Sequence, residues 1–255
     1  MLIDTHCHLT YKIDEDNDID AVISRAQHAG VKYIICPTAD PDDISVAVKI
    51  AEKYDNVFAT LGIHPEHAGI CATDYISDTT LHHPRVLGVG EIGLDYHGDD
   101  IKPRNLQIKL FTEQLEMARR TNLPVAIHTR DAENDTAEIL AEYRDIRGVM
   151  HCFTSGWNLA KKMLDHGFYF SASGIVTFKN ADDIRETFAK IPVDRIVVET
   201  DSPYCAPVPY RGKICEPAFV VETARVVATI KNIPFEKFCD MVTENTKKLY
   251  PKIKI

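Results

Sequence analysis

Histidines and carboxylates recur at the ends of short apolar runs in this chain, and together they suit divalent-metal hydrolysis. In His6-Cys7-His8 the side chains alternate along an extended segment. Strand side chains repeat every second residue, so both imidazoles face one side and Cys7 faces the other. Two nitrogens on one face can hold an ion. With eleven histidines in the chain, such a spacing also arises by chance. His128 closes PVAIH and His151 closes GVMH. A lone histidine at such a place is more often a core residue with its hydrogen bonds satisfied. Two on neighbouring strands, facing the pair on the first, point to ligation, because unused polar groups there are costly.

Glu91 lies in VLGVGEIGLD, where glycines at 88, 90 and 93 allow close approach to the backbone. A carboxylate among apolar residues needs a cation, and an inter-strand salt bridge is the alternative. Asp201 ends RIVVETD before Ser202-Pro203 breaks the strand. A loop cap is its alternative role. Four imidazoles and two carboxylates are too many for one tetrahedral zinc with an open position. They fit two divalent ions, drawn from Zn, Mn, Mg, Ni or Fe, with Glu91 shared between them.

These residues are far apart in sequence, so the fold must collect them. Eight apolar, β-branched runs occur, at residues 2–9, 32–38, 57–64, 86–95, 124–129, 148–153, 169–174 and 195–201. Helical stretches alternate with them, clearest at 19–29, 106–121, 218–230 and 235–250. Near-continuous apolar strands between helices predict a parallel sheet. Eight units in 255 residues predict a single-domain (β/α)₈ TIM barrel over 1–255 rather than an open sheet. Activity in such a barrel sits where strands end and βα loops begin. The polar residues there are Asp4, His6, His8, His64, Glu91, Asp95, His128, Arg130, His151, Glu199 and Asp201. Cys7 and Cys152 have the opposite parity to the histidines and are read as packing between barrel and helices.

The net charge of −9 argues against non-specific coating of nucleic acid or attachment to anionic membrane, though ions could supply positive charge locally. Seven cysteines without a C-x-x-C pair suggest neither a disulfide framework nor a thiolate zinc site. No signal peptide and no membrane span are expected, and a cytoplasmic location is. No obligate protein partner is inferred.

Seven blocks carry a resemblance: DTHCHL at 4–9, GIHPEH at 62–67, GEIGLDYH at 90–97, PVAIHTRDA at 124–132, HCFT at 151–154, ETDSPY at 199–204 and PYRGK at 209–213. In this order, along nearly the whole chain, they resemble the TatD family of metal-dependent deoxyribonucleases, within the amidohydrolase superfamily. The resemblance implies metal ligation by His6, His8, Glu91, His128, His151 and Asp201. It also implies a 3′–5′ exodeoxyribonuclease acting on single-stranded DNA through a metal-activated water, with Glu91 and Asp201 as catalytic carboxylates. HCFTSG has one residue more than the family's usual block, Tyr96-His97-Gly98 replaces a more aromatic stretch, and Cys215 stands where the family commonly has Asn. All three departures bear on substrate-contact loops rather than the metal site.

Arg130, Arg211 and Lys213 are candidate phosphate clamps, the last two with a solvated loop as the alternative. Tyr204, Tyr210, Phe178 and Trp157 could stack unpaired bases, with core packing as the alternative, favoured for Trp157. His64 is placed beside the ions as a substrate group. A binuclear amidohydrolase acting on a small cyclic amide, lactone or phosphotriester is the competing reading. Many such barrels bridge their ions with a carbamylated lysine on the fourth strand, and VLGVGEIGLD has no lysine. A barrel that only binds a partner is a third reading, opposed by the complete ligand set. If the alternation about Cys7 is right, Cys7→Ser keeps metal binding. Loss of metal from a folded Cys7→Ser protein, by elemental analysis, would overturn it.

Overall fold

Eight parallel strands stand in sequence order around one barrel, each followed by helical structure, as expected for a TIM barrel. The computed structural model describes residues 1–11, 18–70, 73–98 and 101–254. The strands are β1 (Leu2–Asp4), β2 (Val31–Pro37), β3 (Val57–Leu61), β4 (Val86–Asp95), β5 (Val125–Arg130), β6 (Gly148–Met150), β7 (Tyr169–Ala172) and β8 (Ile196–Val198). The helices are α1 (Ile19–His28), α2 (Asp43–Lys53), α3 (Asp78–Leu81), α4 (Arg104–Thr121), α5 (Glu133–Ala141), α6 (Trp157–Asp165), α7 (Asp182–Lys190), α8 (Val220–Ile230) and α9 (Phe235–Leu249). Short signals set their ends. The Asp18 carboxylate caps α1 by accepting from Ala21 N at 3.1 Å, and Asn122 ends α4 in the left-handed region at φ 54°. No described helix is long and apolar enough to cross a membrane.

The two faces of the sheet bury different sets. Outward residues pack with the helices in one large apolar cluster. Inward, each strand gives one residue to a second cluster: Ile3, Ile35, Phe58, Leu87, Ala126, Val149, Tyr169 and Val197. Leu249, Tyr250 and Ile253 join that layer from the segment ending α9 and plug the N-terminal end of the barrel. The histidine and carboxylate cluster is thereby left to the other end.

Several ladders stop short of the apolar runs in the sequence. β1 ends at Asp4 rather than residue 9, β6 at Met150 rather than 153, and β8 at Val198 rather than 201. His6, His8, His151 and Asp201 therefore stand on the first residues of βα loops. The barrel closes through these same loops. Thr5 N donates to Val198 O at 3.1 Å, Asp201 N to His6 O at 2.9 Å and His8 N to Ser202 O at 2.9 Å. Cys7, fully buried, belongs to the helix-facing cluster as its parity required. Cys152 does not. Its φ of 39° breaks the alternation and turns the thiol into the mouth of the barrel, so its expected packing role is wrong.

Tyr250 is 1% exposed, and its hydroxyl is buried without a hydrogen-bond partner among the described residues. Tyr250→Ala is expected to cost about 3–5 kcal/mol in denaturant unfolding, the usual range for removing a buried large aromatic. Tyr250→Phe removes an unpaired polar atom and should be neutral or stabilising. A Tyr250→Phe loss as large as that of Tyr250→Ala would mean the hydroxyl is satisfied.

Candidate metal centre

Glu91 is placed by β4 at the centre of the mouth and is 4% exposed. The glycines beside it are needed for that approach. A Cβ on Gly62 would lie 2.7 Å from Glu91 O, and one on Gly90 would lie 2.7 Å from Ala126 Cβ. The two carboxylate oxygens face different histidine pairs. Oε1 lies 2.9 Å from both His128 Nδ1 and His151 Nε2. Oε2 lies 3.3 Å from His6 Nε2 and 3.6 Å from His8 Nε2. Asp201 Oδ1 completes the second group, 3.9 Å from His6 Nε2 and 3.7 Å from His8 Nε2. All six residues singled out as ligands from the sequence thus meet around one carboxylate.

Carboxylates behind the histidines hold them in place. Asp95 Oδ2 lies 3.0 Å from His128 Nε2, and Glu199 Oε1 lies 3.2 Å from His151 Nδ1. Glu199 also accepts from Cys152 N at 2.6 Å. Asp4 braces the closing loops, accepting from Thr200 Oγ1 at 2.5 Å, Thr200 N at 2.9 Å and His6 N at 3.3 Å. Burial pushes the Asp4 carboxyl up to about 8 despite these bonds.

Burial also pulls His8 and His64 down to about 3, so both are neutral nitrogen donors. Burial would raise Glu91, but the charge of His151 and hydrogen bonds from His128 and His151 hold it well below the usual carboxylate range. His151 moves the opposite way: burial disfavours its charge, yet Glu91 and Glu199 raise it well above an ordinary imidazole. Asp201 is raised, mainly by burial. Imidazolium protons here offset carboxylate charge, which is the place a bound cation would take.

The donor set fits divalent ions on a further observation. His6 Nε2 is buried without a hydrogen-bond partner, although two carboxylates face it. Buried nitrogens are rarely left so, and coordination would satisfy this one. Three-residue groups with ligand atoms within 4.8 Å of one another include His6–His8–Asp201 and Glu91–His128–His151, with His64–Asp95–His128 and His6–His151–Glu199 overlapping them.

A cavity of about 590 Å³ opens over this cluster. His64 lines it, its Nε2 3.7 Å from Glu91 Oε1. Arg130 and the 56%-exposed Tyr204 also line it. Arg211 and Lys213 do not. The Arg211 guanidinium sits 3.6 Å over the Phe178 ring, and Lys213 sits over Tyr210, which stacks on Phe219 at 3.9 Å. Trp157 begins α6 and packs against the core. Sequence reasoning gave no role to Asp95 and Glu199, although each follows strand parity from a ligand. It missed Tyr11, which stacks on His8 at 4.9 Å, because nothing in its spacing marks it.

The TatD related DNase family model matches residues 3–251. The chain belongs to the TatD family. YabD of Bacillus subtilis, named an uncharacterized metal-dependent hydrolase, is 39% identical, covering 98% of this chain and 99% of that protein. YcfH of Escherichia coli K12, named likewise, is 38% identical over 98% of this chain and 95% of its own length. The crystal structure of YJJV, a TatD homolog from Escherichia coli K12, matches with a TM-score of 0.86 at 29% identity, over 98% of each chain. This TatD protein is accordingly a metal-dependent hydrolase.

The carboxylates behind the histidines generate a test. Glu199→Gln and Asp95→Asn are expected to weaken retention of Zn²⁺ or Mn²⁺ by roughly 10- to 100-fold in calorimetric titration, with the fold intact. Unchanged affinity in both would remove their role in orienting His151 and His128.

Proposed function

We propose that this TatD protein is a 3′–5′ exodeoxyribonuclease that shortens single-stranded DNA, with residues 1–255 acting as one hydrolase domain. Two divalent ions would be held, one by His6, His8 and Asp201 and one by His128 and His151, with Glu91 shared. The observation that carries this is the division of Glu91, Oε1 towards one histidine pair and Oε2 towards the other. When bound, such a pair supplies Lewis acidity that lowers the pKa of water from 15.7 towards about 7 and offsets phosphate charge.

The chain's own groups do the rest. Asp201 borders the cavity and is suited to accept the proton of the attacking water. Arg130 stands at the rim, where its guanidinium can take a phosphate oxygen pair. Tyr11 and Tyr204 meet edge to face at 6.4 Å and form an aromatic wall beside His8, suited to an unpaired terminal base. A cavity of about 590 Å³ over the cluster suits a strand end better than a duplex. Arg211 and Lys213 lie outside the cavity, so their phosphate role would fall on the strand beyond the cleaved bond. The unpaired thiols of the six described cysteines fit a cytoplasmic location.

End-labelled single strands, duplexes and closed circles offered to Mn²⁺-loaded protein give the test. Stepwise shortening of single strands from the 3′ end is expected. Protein saturated with Mn²⁺ should carry two ions per chain, and Glu91→Ala should lose nearly all activity while remaining folded. Rapid cutting of closed circles would sink the exonuclease reading. Inertness on all nucleic acid, with turnover of a lactone or phosphotriester, would replace it with the amidohydrolase reading.

A further inference from the structure

Beside the histidine cluster lies a second group of ligand-bearing side chains. Cys152, on the loop after β6, and Cys205, on the loop after β8, bring their sulfurs within 4.8 Å of each other and of an Asp201 carboxylate oxygen. Cys205 Sγ lies 3.5 Å from Asp201 Oδ2. Cys152 Sγ lies 3.1 Å from Ser173 Oγ. All three residues line the mouth cavity and are only partly buried. An ion entering the cavity can therefore reach them.

One edge of the group already has the length that coordination requires. With zinc–sulfur bonds of about 2.3 Å and zinc–carboxylate bonds of about 2.1 Å, a tetrahedral edge from sulfur to oxygen is about 3.6 Å. The observed 3.5 Å needs no rearrangement. Asp201 points its oxygens in two directions, Oδ1 to His6 and His8 and Oδ2 to Cys205. One carboxylate thus serves two adjoining sites.

The backbone holds this group in place. Cys152, Asp201 and Cys205 have φ of 39°, 60° and 55°, a left-handed region that non-glycine residues avoid. Such conformations persist only where the surroundings fix them. Glu199 takes Cys152 N, His6 O takes Asp201 N, and Gly174 leaves room for Cys205. A Cβ at residue 174 would lie 1.9 Å from Cys205 O.

We propose that Cys152, Cys205 and Asp201 form a third cation site, selective for thiophilic d¹⁰ ions such as Zn²⁺ and Cd²⁺. Thiolates prefer these ions to Mg²⁺ or Mn²⁺. On coordination each thiol releases its proton to solvent, and the two sulfurs and Oδ2 become ligands. Occupancy draws on Asp201, which the hydrolytic pair also needs, so it inhibits turnover supported by the harder ions. The inhibitory half rests on the proposed phosphodiesterase function; the binding half does not.

The test uses Mn²⁺-loaded full-length protein, kept reduced with a phosphine, to which Cd²⁺ is added. A cadmium–thiolate charge-transfer band should appear in the ultraviolet. Cys152 and Cys205 should become protected from iodoacetamide, as mapped by peptide mass spectrometry. The band should be lost in Cys152→Ser and in Cys205→Ser, while contributions from other thiols cancel in the comparison. A band unchanged in both variants, or equal alkylation of the two thiols with and without Cd²⁺, overturns the site. The protection measurement needs no variant and stands even if one fails to fold. Cd²⁺ should also stop hydrolysis by the wild type but leave the ratio of rates with and without Cd²⁺ near one in Cys205→Ser. Thiol protection with undiminished turnover overturns the inhibitory half. Absence of any phosphodiester turnover refutes the proposed function instead, and the band and protection still decide the site.

Discussion

A carboxylate buried in a barrel must be matched by positive charge, and Glu91 sets that condition for everything around it. Moving an ionised group out of water is expensive unless donors or cations surround it. Here four imidazoles from three other strand ends converge on its two oxygens. The glycines near Glu91 exist because nothing bulkier fits between β3, β4 and β5 at that height. Asp95 and Glu199 fix the far nitrogens of the histidines, so ring orientation is determined from both sides. The apolar layer and the Tyr250 plug keep polar chemistry at a single end of the barrel.

Period-two alternation made much of this legible in the sequence. It placed His6 and His8 together and Cys7 behind them, and it put Glu91, His128 and His151 on inward faces. The barrel followed from eight apolar runs alternating with helices. Alternation fails where the backbone leaves the strand. Cys152, with φ 39°, was misread for that reason, and the ladders end sooner than the runs because the segments at the mouth stay largely buried while turning away from the sheet. Arg211 and Tyr210 carried residue types suited to nucleic acid, yet in the fold they stack on Phe178 and Phe219. Only the tertiary arrangement could show which aromatic faces were covered. Tyr11 lay beyond sequence reasoning altogether, since its relation to His8 is a stacking contact with no periodic mark.

The seam of the barrel and the cluster are one piece of structure. Hydrogen bonds that join the loop after β1 to the loop after β8 involve His6, His8 and Asp201 themselves. Asp4 reinforces the same junction through Thr200. Packing, closure and chemistry therefore depend on the same few residues, and a change at Thr200 acts on the histidines through Asp4.

That junction has a consequence for how the chain matures. His6 and His8 leave the ribosome with the first strand of the barrel, whereas Asp201 and the last strand emerge after most of the barrel has been made. Under the proposed ligation, an ion seated between them would tie the two edges of the sheet across 195 positions of sequence, the separation between His6 and Asp201. No partly synthesised chain can present that complete set of donors. Metal capture by these donors would in this sense be a checkpoint, passed only by a barrel whose ring of strands has shut.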